Sequence, residues 1–158
     1  MKTKFNFASQ ICTTREQSER LLALGLNKDT ADCYYWQETE PMYGEAVGIW
    51  HLETLESTDN QEHFEYLDKN FGVCLYDDEE HYFIPAWSLH RLIEMMPLYL
   101  VPKGTLDKSF MLSKKYPSGY SVEYDAFAYY EEENIYDTLI EEIEHLIKEG
   151  YFNKEYLV

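Results

Sequence analysis

Among side chains that could ligate a metal or take part in catalysis, the most suggestive spacing is that of Glu142 and His145, three residues apart. This is the Glu-x-x-His spacing of di-iron helical bundles. Such a site requires a second copy of the motif and further carboxylates, and the sequence contains one copy. The apolar positions Ile140, Ile143 and Ile147 define the buried side of this predicted helix. At about 100° per residue, His145 falls almost opposite that side and faces water. We therefore predict no metal site and no cofactor.

The other residues of catalytic type lack a recognised arrangement. His81 and His90 lie on either side of Pro85, but a zinc site needs three or four ligands in a fixed geometry. The acidic run 77–80 lacks the alternating ligands and the glycine of a calcium loop, so we interpret it as a solvated turn. The sequence contains no Gly-x-Ser-x-Gly motif and no glycine-rich phosphate loop. We predict no catalytic residue from these patterns.

The three cysteines, Cys12, Cys33 and Cys74, are an odd number and form no Cys-x-x-Cys pair. Their neighbours are apolar or aromatic rather than basic, which predicts reduced, half-buried thiols in a cytoplasmic protein. Cys12 alone directly precedes a predicted helix, and the partial positive charge of a helix N-terminus favours a reactive thiolate.

Acidic residues dominate the charge, since 30 Asp and Glu against 13 Lys and Arg give a net charge of −17. Nucleic acids and anionic membranes are bound mainly through Lys and Arg, and the chain has no basic stripe, so we exclude both as direct partners. No apolar run approaches the roughly 20 residues of a membrane helix. A negative field attracts basic protein surfaces, which are the predicted partner. Solubility alone would also explain the acidity.

The stretch from Tyr120 to Tyr136 is the first candidate binding surface. Its tyrosines supply large, rigid contact area with a polar end, and its carboxylates suit a basic partner. The candidate residues are Tyr124, Tyr129, Tyr130, Glu131, Glu132 and Glu133. The alternative is an ordinary sheet that uses tyrosine on its inner face as core.

The second candidate surface comprises Trp87, His90 and Arg91. On a helix opened by Pro85, Trp87 and Arg91 would project away from the apolar stripe that contains Leu92, with His90 on its flank. An indole beside a guanidinium could line a pocket for an anion or a peptide. The alternative is a tryptophan packed under a neighbouring strand, with Arg91 paired to one of many carboxylates.

Hydrophobic periodicity and turn residues predict the elements that position these side chains. Three helices are expected, at Thr14–Leu24, Pro85–Met96 and Asn134–Gly150, with a short fourth at Gln61–Asn70. Strands are expected at Cys33–Trp36, Val73–Tyr76, His81–Ile84, Ser109–Lys114 and Tyr120–Tyr130, the last ended by the three glutamates that follow Tyr130. This order predicts an α+β fold, in which antiparallel strands and hairpins carry about three helices on one face. We expect one domain over residues 1–158, with residues 37–70 as an insertion.

Three blocks of the sequence, Ile11–Ser18, Ile84–Pro97 and Tyr136–Tyr151, resemble small uncharacterised proteins carried by prophages and mobile elements of gut anaerobic bacteria. No activity, ligand or catalytic residue is carried over from that group. The resemblance implies a bacterial cytoplasm and a gene that travels with other elements.

These observations favour a non-enzymatic cytoplasmic accessory protein that binds a basic protein through an acidic, tyrosine-rich face. A narrower form is a nucleic-acid mimic, whose carboxylates occupy the positions of phosphates on the partner. The alternative is a small-molecule-binding or hydrolytic domain with a pocket near Trp87, His90 and Arg91. A purely structural or oligomerisation role is the third hypothesis.

Overall fold

The structure is a computed structural model that describes residues 9–38, 49–54, 73–76, 79–102, 107–125 and 129–158. The helices of this part of the chain are α1 (Arg15–Ala23), α2 (Leu89–Met95) and α3 (Ile135–Glu149). The strands are β1 (Cys33–Glu38), β2 (Ile49–Thr54), β3 (Val73–Tyr76), β4 (Glu79–Ala86), β5 (Tyr99–Leu100), β6 (Lys108–Lys114), β7 (Tyr120–Tyr124) and β8 (Tyr129–Glu132). Short 3₁₀ turns occupy Lys28–Thr30 and Lys154–Tyr156.

The strands form two antiparallel sheets. The first has the order β2-β1-β4-β3 and the second the order β5-β6-β7-β8. Helix α3 packs against β7 and β8, while α1 contacts both β4 and α3. The predicted α+β class with antiparallel strands is confirmed.

Local sequence explains where the two longer helices begin and end. Thr14 caps α1, because its hydroxyl accepts from the Gln17 amide at 3.2 Å and the Gln17 side chain accepts from the Thr14 amide at 2.9 Å. Asn134 caps α3 by accepting from the Tyr136 amide at 2.8 Å. Gly150 ends α3 in the left-handed conformation at φ 77°, which glycine adopts without steric cost.

The main hydrophobic core joins helices from both halves of the chain. It contains Leu21 of α1, Leu92 of α2, Val122 of β7 and Ile143 of α3, each with no exposed surface. The segment after Gly150 returns to this core, as its aromatic content predicts, and buries Phe152. Burial of such side chains supplies about 1.5–3 kcal/mol each, so the core rather than helix propensity holds these elements together.

The predicted start of the second helix at Pro85 is wrong. Pro85 lies in β4 opposite Tyr34, and Ser88 caps α2 by accepting from the Arg91 amide at 3.2 Å. Proline is tolerated both at an edge position of a strand and at the first position of a helix. The local sequence pattern does not distinguish these two alternatives.

The predicted strand Tyr120–Tyr130 is two strands. Strand β7 ends at Tyr124, where Asp125 has a φ of 43°, and β8 then includes Glu131 and Glu132. The glutamates therefore do not interrupt the strand, because their side chains reach solvent at the sheet edge. Glu79 and Glu80 likewise belong to β4 rather than to a turn.

Two further expectations fall on undescribed parts of the chain. The helix predicted at Gln61–Asn70 lies outside the described residues. Of the segment 37–70, the described residues are those of β1 and β2, and these two strands pair in the first sheet.

Candidate functional site

The outer face of the second sheet is the surface turned away from α3. Strand pairing places Met111, Glu123 and Tyr129 in one row across β6, β7 and β8, and Ser121 beside Glu131 in the next. Tyr99 extends the face on β5, because its cross-strand partner Ser109 has the same orientation as Met111. We call Tyr99, Met111, Ser121, Glu123, Tyr129 and Glu131 the outer face.

The outer face combines exposed aromatic and apolar groups with carboxylates. Tyr99, Met111 and Tyr129 are 56%, 40% and 47% exposed. The Tyr129 hydroxyl donates to the Glu131 carboxylate, and this hydrogen bond raises the pKa of Tyr129. The Nζ of Lys115 lies 5.6 Å from the centroid of the Tyr129 ring. The tyrosine ring therefore already holds a lysine ammonium of the same chain against its face.

The structure separates the predicted tyrosine-rich residues onto two sides of the sheet, so the prediction of one continuous face is wrong. Tyr124 has no exposed surface, and its hydroxyl donates to the Pro97 carbonyl at 2.7 Å. Tyr130 faces α3 and its ring lies 5.8 Å from that of His145. Glu132 is exposed but has the orientation of the inner residues. Tyr129 and Glu131 alone belong to the outer face.

Glu133 is also exposed, but it follows β8 rather than belonging to it. With Tyr120, Asn134 and Tyr136 it lines a shallow cavity of about 520 Å³ at the start of α3. The six predicted residues therefore divide among the outer face, the inner face and this cavity.

Sequence reasoning missed part of the outer face. Met111 and Glu123 were not predicted as binding residues, although the strand alternation places Glu123 on the polar side of β7. The alternating burial of β6 gives the corresponding orientation for Met111. Which residues of β6 and β7 lie side by side follows only from the register of the hairpin.

Trp87 is a core residue, and its predicted place on an exposed patch is wrong. It has no exposed surface, and its indole Nε1–H donates to Thr30 Oγ1 at 2.9 Å. Its amide donates to Thr13 Oγ1 at 3.0 Å, and its carbonyl accepts from the Thr13 amide at 2.8 Å. Because Trp87 precedes α2 instead of lying within it, the helical periodicity used for the prediction does not apply.

His90 and Arg91 do line a cleft, of about 440 Å³, which we call the Arg91 cleft. Its other lining residues are Ile11, Asp32, Cys33, Thr54 and Ser88. The Glu94 carboxylate lies 3.0 Å from His90 Nε2 and 3.1 Å from Arg91 Nη1. The Arg91 Nε–H is buried and has no acceptor among the described residues. The Arg91 guanidinium therefore keeps one unused donor, while its charge is already paired with Glu94 and Asp32 adds a carboxylate to the lining.

One wall of the Arg91 cleft is fixed by hydrogen bonds. Asp32 accepts from the Ser88 amide at 2.8 Å and from the Ser88 hydroxyl at 2.5 Å. These bonds attach the start of α2 to the residue preceding β1. Asp32 is thereby already occupied, just as Glu94 already pairs with Arg91 and His90.

The prediction of reduced thiols is wrong for Cys12 and Cys33, which form a disulfide across 21 residues of sequence. Both residues are 1% exposed and form a small cluster with Ala86 and Tyr35. The sequence could not indicate this pairing, because the two cysteines approach through tertiary packing rather than through a local motif. Cys74 lies in β3.

Glu142 is fully buried, with both carboxylate oxygens lacking a hydrogen-bond donor among the described residues. Desolvation raises its pKa to about 7. The prediction that His145 faces water is also wrong, because its ring lies against Tyr130 and its Nε2 is buried. Within the described parts of the chain, no group of three or more His, Cys, Asp or Glu side chains could hold a metal ion.

Buried polar atoms on Ser121, Glu142 and His145 invite comparison with a hydrolytic triad. Cross-strand pairing contradicts that arrangement. Ser121 is on the outer face with Glu131, whereas Glu142 and His145 are on α3, which packs against the inner face. The sheet separates the serine from the other two residues.

Comparison with known proteins gives no match for this chain among family models, curated proteins or solved structures. None of the described helices has the length and apolar content that crossing a membrane requires.

Proposed function

We propose that the protein binds a basic segment of a partner protein on its outer face. The observation that supports this most directly is the contact between Lys115 and the Tyr129 ring, beside the carboxylates of Glu123 and Glu131. A lysine or arginine of a partner can make the same contact and reach Glu123 in the same row and Glu131 in the next. A cation over an exposed aromatic ring contributes about 0.5–1 kcal/mol.

The charge of the whole chain supports the same class of partner. A net charge of −17 steers basic surfaces towards the protein and accelerates their association, to an extent that falls with ionic strength. The exposed Tyr99 and Met111 add apolar contact area to the row of charges. Aromatic and methionine side chains surrounded by polar groups are typical of the centre of an interface.

The proposed setting is a cytoplasmic accessory protein of a mobile element, and a nucleic-acid-binding protein is the narrower choice of partner. The carboxylates of the outer face would then occupy positions that phosphates otherwise fill. In a reducing cytoplasm the disulfide between Cys12 and Cys33 would be transient, as is usual for disulfides of that compartment.

A matched pair of double variants tests this proposal. The change Glu123→Gln with Glu131→Gln removes two charges from the outer face, whereas Glu132→Gln with Glu133→Gln removes two charges from exposed neighbours that are not on it. With a lysine-rich peptide as probe at low salt, we expect the first pair to weaken binding about tenfold. The second pair should change it much less, by isothermal titration calorimetry.

Comparing the two double variants distinguishes binding at the outer face from attraction by the net charge of the whole protein. Equal losses in the two double variants would mean that net charge alone attracts the peptide, and would contradict the outer face as the binding site. A Tyr129→Ala variant gives a second measurement, since it retains every carboxylate and should still weaken binding.

A second candidate function is binding of a small anion in the Arg91 cleft. The buried Arg91 Nε–H without an acceptor favours it, together with a volume in the range of small-molecule sites. Adding 3-hydroxypropionate should shift the Arg91 Nε–H resonance in an NMR titration. The shift should be absent for chloride at equal ionic strength, and a spectrum unchanged by the carboxylate would contradict this function.

A further inference from the structure

Strand β8 forms one edge of the second sheet, and this edge is open among the described residues. The sheet has the order β5-β6-β7-β8, so β8 pairs with β7 on one side and with no described strand on the other. Tyr129 and Glu131 make no backbone hydrogen bond to described residues outside this pairing. An open edge presents a row of backbone donors and acceptors with which an extended peptide can pair.

The position of the Glu132 carbonyl shows which backbone groups of β8 face the open edge. Its oxygen lies 3.0 Å from the position that a Cβ on Gly119, directly before β7, would take. The backbone of Glu132 therefore points towards β7, where Glu132 pairs with Tyr120. Successive residues of a strand direct their backbone groups to alternate sides, so the N–H and C=O groups of Tyr129 and Glu131 point to the open edge.

The same two residues also carry side chains of the outer face. Residues opposite each other on neighbouring strands have side chains on the same face, with Cβ atoms within about 5.5 Å. A residue paired with Tyr129 or Glu131 at the open edge therefore places its side chain beside that ring or that carboxylate. Lysine suits both positions, because the Lys115 ammonium already lies over the Tyr129 ring and opposite charges on paired strands attract. The intervening residue points instead to the side of Tyr130 and α3.

We propose that a basic segment of the partner protein adds to β8 as a fifth, antiparallel strand of the second sheet, with lysine or arginine at alternate positions over the outer face. All described strand pairs of the protein are antiparallel, and this arrangement is slightly more stable per residue than a parallel one. The feature recognised is a basic residue at every second position rather than a contiguous basic cluster. This inference rests on the proposed function, because it specifies how the basic segment binds beside the outer face.

Three peptides of equal charge provide the test. The first is an octapeptide that alternates lysine and threonine, the second carries a methyl group on each lysine backbone nitrogen, and the third carries one on each threonine backbone nitrogen. In the antiparallel arrangement the lysine N–H groups face Tyr129 and Glu131, and the threonine N–H groups face away from β8. By isothermal titration calorimetry at low salt, we expect methylated lysines to weaken binding at least about tenfold, as the loss of two hydrogen bonds would give. The peptide with methylated threonines should bind as tightly as the first.

Amide hydrogen exchange of the protein gives a second measurement. The unmodified peptide should slow exchange of the Tyr129 and Glu131 amides, because they gain acceptors at the open edge. The amides of Tyr130 and Glu132 face β7 in both states and should change much less. An effect confined to side chains would leave all four amides unchanged and would overturn the added strand.

The remaining outcomes separate this inference from the proposed function. Equal binding of the three peptides, with the loss in Glu123→Gln with Glu131→Gln retained, would refute strand addition and leave binding at the outer face intact. Equal weakening by both sets of methyl groups, or a stronger effect of methylated threonines, would also overturn the antiparallel strand. If the unmodified peptide did not bind, or bound that double variant as tightly as wild type, the proposed function and this inference would both be wrong.

Discussion

Replacing Glu142 with glutamine should increase the free energy of unfolding by about 3 kcal/mol at pH values above 7. Glu142 has no exposed surface, and neither carboxylate oxygen has a donor among the described residues. An ionised carboxylate at this position therefore loses its hydration without compensation. Glutamine has nearly the same shape and carries no charge at any pH.

The sign of the effect follows from the direction of the pKa shift. Burial raises the pKa of Glu142 from 4.5 to about 7, so the folded state binds its proton more tightly than the unfolded state. The resulting stabilisation is complete below the unfolded value and is lost as the pH rises through the folded value. Burial and the Glu142 charge also raise the pKa of Tyr124 and Tyr130 above 10, so both phenols stay protonated in this pH range and do not alter the trend. His145, which follows Glu142 by about one helical turn on α3, is the third titratable group on this side of the helix.

Urea unfolding between about pH 5 and about pH 8 measures this prediction. The stability gap between Glu142→Gln and wild type should widen as the pH rises. The control is Glu149→Gln, an exposed change near the end of the same helix, which should follow the wild-type pH dependence. If Glu142→Gln retained the wild-type slope, the carboxyl would have to be paired in the folded protein, contrary to the structure.

Replacing Trp87 with alanine should lower the free energy of unfolding by about 4 kcal/mol. The indole is fully buried, so its removal leaves a cavity and also removes the hydrogen bond to Thr30. Trp87→Phe should lose less, because the ring still fills most of the space. A decrease of this size is a large fraction of the stability of a typical domain.

Chemical denaturation of both variants measures the stability, and the lysine-rich peptide measures the function. Binding of the peptide by Trp87→Phe at low temperature should equal that of wild type, because Trp87 is not on the outer face. A loss of peptide binding with little loss of stability would instead place Trp87 in an interface and contradict its position in the core.

The helices were largely predictable because their signals are local. The apolar spacing that contains Leu139 and Ile143, with Asn134 and Gly150 at its ends, is sufficient to place α3 within one or two residues. The start of α2 was not predictable from local signals, because the cap at Ser88 competes with the helix-starting preference of Pro85. That competition is decided by pairing of β4 with β1, which is a long-range contact.

The candidate site was predictable only in part, for the same reason. Alternation along β7 correctly separated Tyr124 from Glu123, but the turn at Asp125 removed any continuous alternation into β8. Tyr129 and Tyr130 are adjacent in sequence and therefore point to opposite sides of the sheet. Composition identified the tyrosines and acids of this stretch, while register decided which of them share a surface.

The register of β8 also limits how the outer face can change during evolution. Substitutions at Tyr129 or Glu131 alter a surface and leave the core intact, so the fold itself does not constrain them. A single-residue insertion or deletion that shifted β8 by one position would exchange Tyr129 with Tyr130 and place a carboxylate against α3. The fold therefore tolerates a substitution on the outer side of β8 better than a change of register in that strand.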